Sequence, residues 1–394
     1  MRTREAYLRY IANTYNRLPL VIVRGRGMYV FDERGRRYLD FVGGIAVCSL
    51  GHCPPAVVRA VRKQLSRLMH VSNLFYTREQ LDLASTLSSV TPDGIKKFFF
   101  CNSGAEANEG ALKLAVKHSG RERIIVMEGS FHGRTALTVG ATWKREYREP
   151  FEKIIPKVFD FVPFGDLAAV ERAVTDQTAA VLVEPIQGEG GVRVPPDDFL
   201  PGLRKLCDER NILLILDEVQ TGICRTGRWF ACEHWGISPD IITMAKGLGS
   251  GFPIGAFGAR PEVMDSFSPS DHASTFGGNP LACVAAAETI RTMKKLKMPR
   301  RVEKTGGYFM ARLAELAEGH PQIADVRGKG LLIGVELQSA DIASKVQTEV
   351  MKRGILINVT AEKVLRFVPP LIIGRTHIDR LIDALDVALR KVGG

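Results

Sequence analysis

Two ionisable residues stand where short apolar runs end. Ile212–Leu216 leads into Asp217 and Glu218, and Ile241–Ala245, broken only by Thr243, leads into Lys246 and the turn Gly247–Gly251. Short runs rich in Ile and Leu and bounded by turn residues suit strands buried on both faces of a parallel sheet. Ligands of open α/β sheets sit outside the carboxyl edge of the strands, so an aspartate and a lysine delivered there can meet over one small molecule. A surface salt bridge between strand ends is the ordinary alternative.

The pair has a specific chemical meaning. A lysine amine forms a Schiff base with an aldehyde, and pyridoxal phosphate needs both that lysine and an acidic partner for its pyridine nitrogen. Asp217 would keep the ring nitrogen protonated, so that the ring accepts electrons when the substrate Cα–H bond breaks. Lys246 would hold the aldehyde at rest and later carry the proton between Cα and the cofactor's C4′. An amine near its ordinary value of about 10.4 is a poor base at neutral pH, so imine formation or desolvation must lower it.

Three further motifs fall at strand ends. Ser103-Gly104-Ala105-Glu106 follows Phe98–Phe100 and opens a helix, with Ser103 as N-cap and Glu106 as its capping-box partner. Free N–H groups and the positive end of the helix dipole suit a phosphate there, although an ordinary cap has the same sequence. In Phe131-His132-Gly133-Arg134 the aromatic ring could stack on a flat ring, and the arginine could grip a carboxylate with two hydrogen bonds. A solvated loop arginine reads the same way. In Glu184–Gly191 the glycines indicate a tight loop first, and Glu184 and Glu189 are site groups second.

These positions need a scaffold. Met28–Phe31 and Arg36–Phe41 read as a hairpin across Asp32–Gly35, and Ala56–Met69 and Glu79–Val90 read as helices. Strands at Lys97–Cys101, Ile124–Glu128, Ala179–Glu184, Ile212–Leu216, Ile241–Ala245 and Ile254–Gly258 alternate with helices at Gly104–His118 and Asp197–Arg210. That alternation predicts an α/β fold with a mostly parallel, helix-covered sheet. After a helix starting near Asn279 the character changes. Gly330–Leu337, Ala340–Arg353, Ile355–Val359 and Val364–Val368 suggest a smaller α+β domain. The expected division is an N-terminal segment of that small domain (1–57), a large domain (58–288) and the rest of the small domain (289–394).

At 394 residues and 45% hydrophobic content the chain can bury more than one core. No apolar run is long enough for a membrane span, and the charged start lacks a signal-peptide core, which points to the cytoplasm. Seven cysteines without a C-x-x-C pair read as free thiols in a reducing compartment, and metal-ligand spacing is absent. The net charge of +11 is spread without a basic stripe, so nucleic acid is not expected. Small acidic ligands, or an acidic protein partner, account for it as well.

NSGAEANEGALKLA (102–115), FHGRT (131–135), EPIQGEGGV (184–192), LDEVQTG (216–222), RTGRWFA (225–231), PDIITMAKGLG (239–249), FPIGA (252–256), STFGGNPLA (274–282), VRGKGLLIGVEL (326–337) and VLRFVPPL (364–371) together resemble the class III pyridoxal phosphate aminotransferases, most closely the acetylornithine aminotransferases. The resemblance implies a fold-type I dimer in which Lys246 carries the cofactor and Asp217 pairs with its ring nitrogen. Ser103, Gly104 and Ala105 would hold the phosphate, with Thr275, beside Ser274, reaching in from the neighbouring subunit. Phe131 and Val219 would flank the ring, and Gln220 would bond its hydroxyl. Arg134 would take the α-carboxylate of acetylornithine and Arg366 that of glutamate, with Glu189 pairing with Arg366 while the basic substrate is bound. Tyr15 is similar to a substrate-contacting N-terminal tyrosine. Cys224, Ala273 and Ser250 depart from glycines usual in the family, and Gly110 replaces a helical alanine.

The implied reaction moves the δ-amino group of N2-acetylornithine to 2-oxoglutarate, giving the semialdehyde and glutamate. A lysine held by an acidic carrier protein, ornithine, 4-aminobutyrate and succinyl-diaminopimelate are alternative donors. Aminomutases and epimerases share the lysine and aspartate but need no 2-oxoglutarate. A cofactor-binding regulator would need a DNA-binding module, which the sequence does not suggest.

Overall fold

Seven strands build the central sheet of the computed structural model, which describes residues 3–393. They are β4 (Lys97–Cys101), β5 (Arg123–Met127), β6 (Phe159–Val162), β7 (Thr178–Val183), β8 (Leu213–Asp217), β9 (Ile241–Met244) and β10 (Gly255–Ala259). Their order is β4-β10-β9-β8-β7-β5-β6. The sheet is parallel from β9 to β6, whereas β10 runs antiparallel to both its neighbours. Residues 245–254 return directly from β9 without a crossover helix, and such a return can only place the next strand antiparallel.

Alternate residues of each strand enter different cores, as the two-residue period of a strand requires. Ile124, Val126, Ile215 and Ile241 pack with Ala111, Leu112 and Ala115 of the helix Gly104–Ser119. Ile125, Met127, Leu214, Leu216 and Met244 pack on the other face with Phe199, Leu203 and Leu206 of the helix Phe199–Arg210. Both faces are therefore covered, which explains why these strands read as near-continuous apolar runs.

A second sheet joins β1 (Ile22–Arg26), β2 (Tyr29–Asp32), β3 (Arg37–Asp40) and β13 (Ile355–Leu356). Its hairpin turns at Asp32–Gly35 as expected: the Asp32 carboxylate accepts from the Arg34 and Arg36 amides, and Gly35 takes the left-handed conformation. β3 and β13 run parallel, with Leu39 opposite Ile355. A third sheet has the order β11 (Ile323–Lys329), β12 (Leu332–Leu337), β15 (Val364–Phe367), β14 (Asn358–Thr360).

The structure also contains elements that the periodicity did not reveal. β6 is an edge strand of only four residues, and β11 is half-buried without a clean alternation. The helix Met298–Glu318 carries Gly306-Gly307 in its middle, a local signal against a helix. A side chain at Gly306 would lie 2.2 Å from the Gly330 carbonyl oxygen, so close packing of the β11–β12 turn excludes one there.

Candidate active site

β4, β5, β7, β8 and β9 all end at the edge of the sheet where a cavity of about 440 Å³ opens, and Lys246 and Asp217 both line it. They do not pair with each other. Asp217 Oδ2 instead accepts from Nδ1 of His132 at 2.7 Å and from Nδ2 of Asn108 at 2.7 Å, and its Oδ1 accepts the Val219 amide at 3.0 Å. Asn108 is fixed in turn, donating to the His132 carbonyl at 2.8 Å and accepting from the Thr243 hydroxyl at 2.7 Å.

Burial alone would push the Asp217 carboxyl up. The hydrogen bond and charge of His132, the Val219 amide and the charge of Lys246 outweigh it and hold the group below the usual carboxylate range. Burial lowers the Lys246 amine, and the negative charges of Glu189 and Asp217 offset only part of that. Lys246 also adopts a left-handed backbone, φ 41°, at the first residue after the extended Ala245. A branchless but bulky residue there costs of order 1 kcal/mol or more and persists only where packing imposes it, a pattern that clusters at functional sites.

At the end of β4 the helix Gly104–Ser119 begins. Ser103 caps it, accepting the Glu106 amide at 3.2 Å. The expected capping box is shifted by one residue, because the Glu106 carboxylate accepts the amide of Asn102 (2.6 Å) rather than that of Ser103. First-turn geometry leaves the Gly104 and Ala105 amides without intrahelical acceptors, and both residues line the cavity. A side chain at Gly104 would lie 2.7 Å from Val219 Cγ1, so glycine lets the helix start press against that loop.

Phe131, Arg134, Glu184, Glu189, Val219 and Gln220 line the same cavity. The Arg134 guanidinium lies 3.5 Å from the ring centroid of Tyr147, which sequence reasoning did not single out. Glu184 accepts the Phe131 and Gly188 amides at 3.0 Å each, and burial pushes its carboxyl up to about 7. Arg366, 1% exposed on β15, donates to Glu189 Oε1 at 2.6 Å, to Gln220 Oε1 at 3.2 Å and to Asn358 Oδ1 at 2.6 and 3.0 Å. Burial raises Glu189, but Arg366 brings it below its ordinary value. A second cavity of about 460 Å³ lies against Phe131 and Glu189, lined also by Trp143, Tyr147 and Thr360.

Three expected residues lie outside the cavity of their own chain. Tyr15 is exposed, with Arg17 stacked over its ring. Ser274 touches the rim only through Asn102, whose amide approaches its hydroxyl at 3.3 Å, and Thr275 is exposed next to Phe276. Asn108 and His132 were missed as site residues although both left a trace. Asn108 is a polar residue within a buried stripe of Ala107, Ala111 and Leu112, and His132 lies inside the F-H-G-R motif.

The residues present fit pyridoxal phosphate. An ionised carboxylate lines the cavity, with an amine lowered by burial, a helix start with open amides, and an aromatic and a β-branched side chain. The buried Nε2 of His132 has no partner among the described residues, so the imidazole is held through Nδ1 alone and orients Asp217 from one side. Among the described residues no group of His, Cys, Asp and Glu side chains could hold a metal ion.

Residues 10–389 match the family described as Aminotransferase class-III. The acetylornithine aminotransferase of Methanopyrus kandleri is 49% identical over 393 residues, covering 100% of each chain, and that of Methanocaldococcus jannaschii is 48% identical, covering 98% of this chain and 97% of its own. Among solved structures, the ornithine aminotransferase of Toxoplasma gondii, which holds PLP at partial occupancy at its active site, superposes with a TM-score of 0.95 at 34% identity, covering 99% of this chain and 94% of its own. The acetylornithine aminotransferase of Elizabethkingia anophelis gives a TM-score of 0.88 at 34% identity, covering 98% of each. With the lysine, the aspartate and the helix start gathered at one sheet edge, and with a family match and relatives that extend over nearly the whole chain, the chain belongs to the class III aminotransferases.

Proposed function

We propose that the protein is a pyridoxal phosphate-dependent aminotransferase that moves the δ-amino group of N2-acetylornithine to 2-oxoglutarate. The observation that carries this reading is the Arg366–Glu189 pair in the same cavity as Lys246 and Asp217. A buried guanidinium whose carboxylate partner can be exchanged for that of a substrate suits an enzyme that must accept a basic donor and an acidic acceptor in turn. The names of the relatives support the choice of donor.

When bound, the cofactor supplies an electron sink for the carbon that loses its proton. Asp217, held ionised by His132 and Asn108, keeps a proton on the ring nitrogen. The amides of Gly104 and Ala105 would hold its phosphate, and the Ser103 hydroxyl, whose oxygen already accepts the Glu106 amide, has its proton left to donate. Phe131 and Val219, which line the cavity, would flank the ring, and Gln220 would bond its hydroxyl. Lys246, lowered by burial, moves the proton. Arg134, over the ring of Tyr147, takes the α-carboxylate of the donor, and the second cavity leaves room for its acyl end. Arg366 takes the α-carboxylate of glutamate once Glu189 releases it.

The same reading makes the protein a homodimer. Leu74, Phe75, Tyr76 and Phe276 are exposed, and Asn73 donates to the carbonyls of Ser274 and Gly277, so these apolar side chains lie in one region, where a partner would cover them. Ser274 and Thr275 lie beside Phe276, where a second copy could bring them, and Tyr15, to the neighbouring site. Light scattering should give twice the chain mass, and a fully active monomer would refute the shared site. Seven free cysteines support a cytoplasmic location, and no helix among the described residues is long and apolar enough to cross a membrane.

Glutamate formation from 2-oxoglutarate should be fastest with free N2-acetylornithine, measured as kcat/KM beside ornithine, 4-aminobutyrate and a carrier-linked lysine. The net charge of +11 favours the carrier-linked lysine as the rival. That rival wins if its turnover is about a hundredfold higher and falls steeply as salt shortens the Debye length from about 30 to 8 Å.

A further inference from the structure

Arg225 is 2% exposed and has no carboxylate partner among the described residues. Its Nη1 donates to the carbonyls of Leu331 (3.0 Å) and Pro369 (2.6 Å), its own carbonyl accepts the Leu331 amide at 3.0 Å, and its buried Nη2 has no partner among the described residues. Leu331 immediately precedes β12 and Pro369 lies two residues past β15, so one nitrogen joins the beginning of one strand to the end of its neighbour. Those strands are the ones that carry Arg366, which sits opposite Gly334 in their register.

The loop that holds Arg225 also reaches Arg366 from the front, through Gln220. Its two ends are stapled together by Glu218, whose carboxylate accepts the Ala231 and Cys232 amides at 2.9 and 2.8 Å. Its tip is pressed onto the β11–β12 turn so closely that a side chain at Gly330, φ 59°, would lie 2.4 Å from the Thr226 carbonyl carbon. Burying a guanidinium without a counter-ion is costly, and an apolar residue of similar size would serve general stability at least as well. What an apolar residue could not do is fix two strand carbonyls against the loop that lines the cofactor cavity. Burial lowers the group only to about 9, so it stays charged at neutral pH.

We infer that Arg225 is a positioning residue that sets the register of β12 and β15 against the Asp217–Gln220 loop, and so places the Arg366 guanidinium for the acidic substrate. This rests on the reading of Arg366 as the glutamate site. It predicts a selective defect: the glutamate half-reaction should suffer and the N2-acetylornithine half-reaction, which depends on Arg134, should not.

The test compares wild type, Arg225→Met and Arg225→Lys as holoenzymes, in single turnovers with each amino donor. Arg225→Met should weaken apparent glutamate binding about tenfold or more, the scale of a displaced binding group, while the acetylornithine half changes less than about twofold. Arg225→Lys should recover most of the loss, because both carbonyls are served by one nitrogen that an ammonium can replace. Equal damage to both halves, or lower melting temperature with unchanged glutamate binding, overturns the inference. If wild type does not react with glutamate, the substrate reading fails, and amide hydrogen exchange in Leu332–Leu337 and Val364–Phe367 decides instead. Faster exchange there in Arg225→Met, with β7 and β8 unchanged, upholds the positioning role, and unchanged exchange refutes it.

Discussion

Lys246 faces negative charge from Glu189, Asp217 and Glu184, yet burial still lowers its amine, which favours the neutral form that can accept a proton. Replacing it with alanine removes that group while leaving Asp217 and the helix start in place. Transamination by Lys246→Ala should therefore fall by about two to four orders of magnitude, the usual contribution of a positioned acid–base group. Tyr147 has a narrower role: it is the surface on which Arg134 lies. Tyr147→Ala should raise the KM for N2-acetylornithine several-fold, in line with about 0.5–2 kcal/mol for a guanidinium stacked on a ring, with the glutamate half-reaction unchanged. Lys246 and Asp217 were legible in the sequence because each ends an apolar run. The residues that orient Asp217 were not: His132 and Asn108 lie 85 and 109 positions from it, and nothing local announces such a pairing.

At the scale of elements, the sequence disclosed what is buried on two faces and obscured what is not. β7, β8 and β9 were placed within about a residue of their ends, because near-complete burial leaves an apolar signature; the edge strand β4, exposed at Lys97, was legible at Lys97–Cys101 through its Phe98–Phe100 run. The edge strand β6, the half-buried β11 and the glycine-interrupted helix Met298–Glu318 lack it. The direction of β10 depended on the missing crossover helix, a feature of the connection and not of the strand. Departures from the family's glycines also acquire a physical meaning. Cys224 and Ser250 have φ of 69° and 45°, the region where glycine is at ease, and the Ser250 hydroxyl compensates by accepting the buried Leu50 amide at 2.9 Å. Gly110 is the converse case. Helix propensity favours alanine there by about 1 kcal/mol, but an added carbon would lie 2.3 Å from Phe257, which stacks on Phe99. Overpacking should win, and Gly110→Ala should lose about 1–3 kcal/mol in chemical denaturation.

At the scale of the molecule, Glu349 fastens the helix Ala340–Lys352 to the helix Arg375–Gly393, meeting Lys352 at 2.7 Å and Arg353 and Lys391 at 3.0 Å. Hydrogen bonds from Lys352, Lys391 and Arg353 hold its carboxyl at about 2 instead of the ordinary 4.5. A carboxylate lowered in the folded state binds fewer protons there than in the unfolded chain, so its contribution is complete above about 4.5 and disappears as pH falls towards 2. Glu349→Gln should therefore melt below wild type at neutral pH, and the gap should close between pH 5 and pH 2 in thermal scans. The pairing of β3 with β13 has a consequence of another kind. Leu39 and Ile355 are 316 positions apart, and a ribosome adding roughly 5–20 residues per second needs about 15–60 s to make that stretch. Throughout that interval β3 stays an unpaired edge of the nascent sheet, and open edges recruit other strands. The earliest sheet of the polypeptide to be translated is thus among the last to be completed, and its safekeeping falls to whatever surrounds the emerging chain.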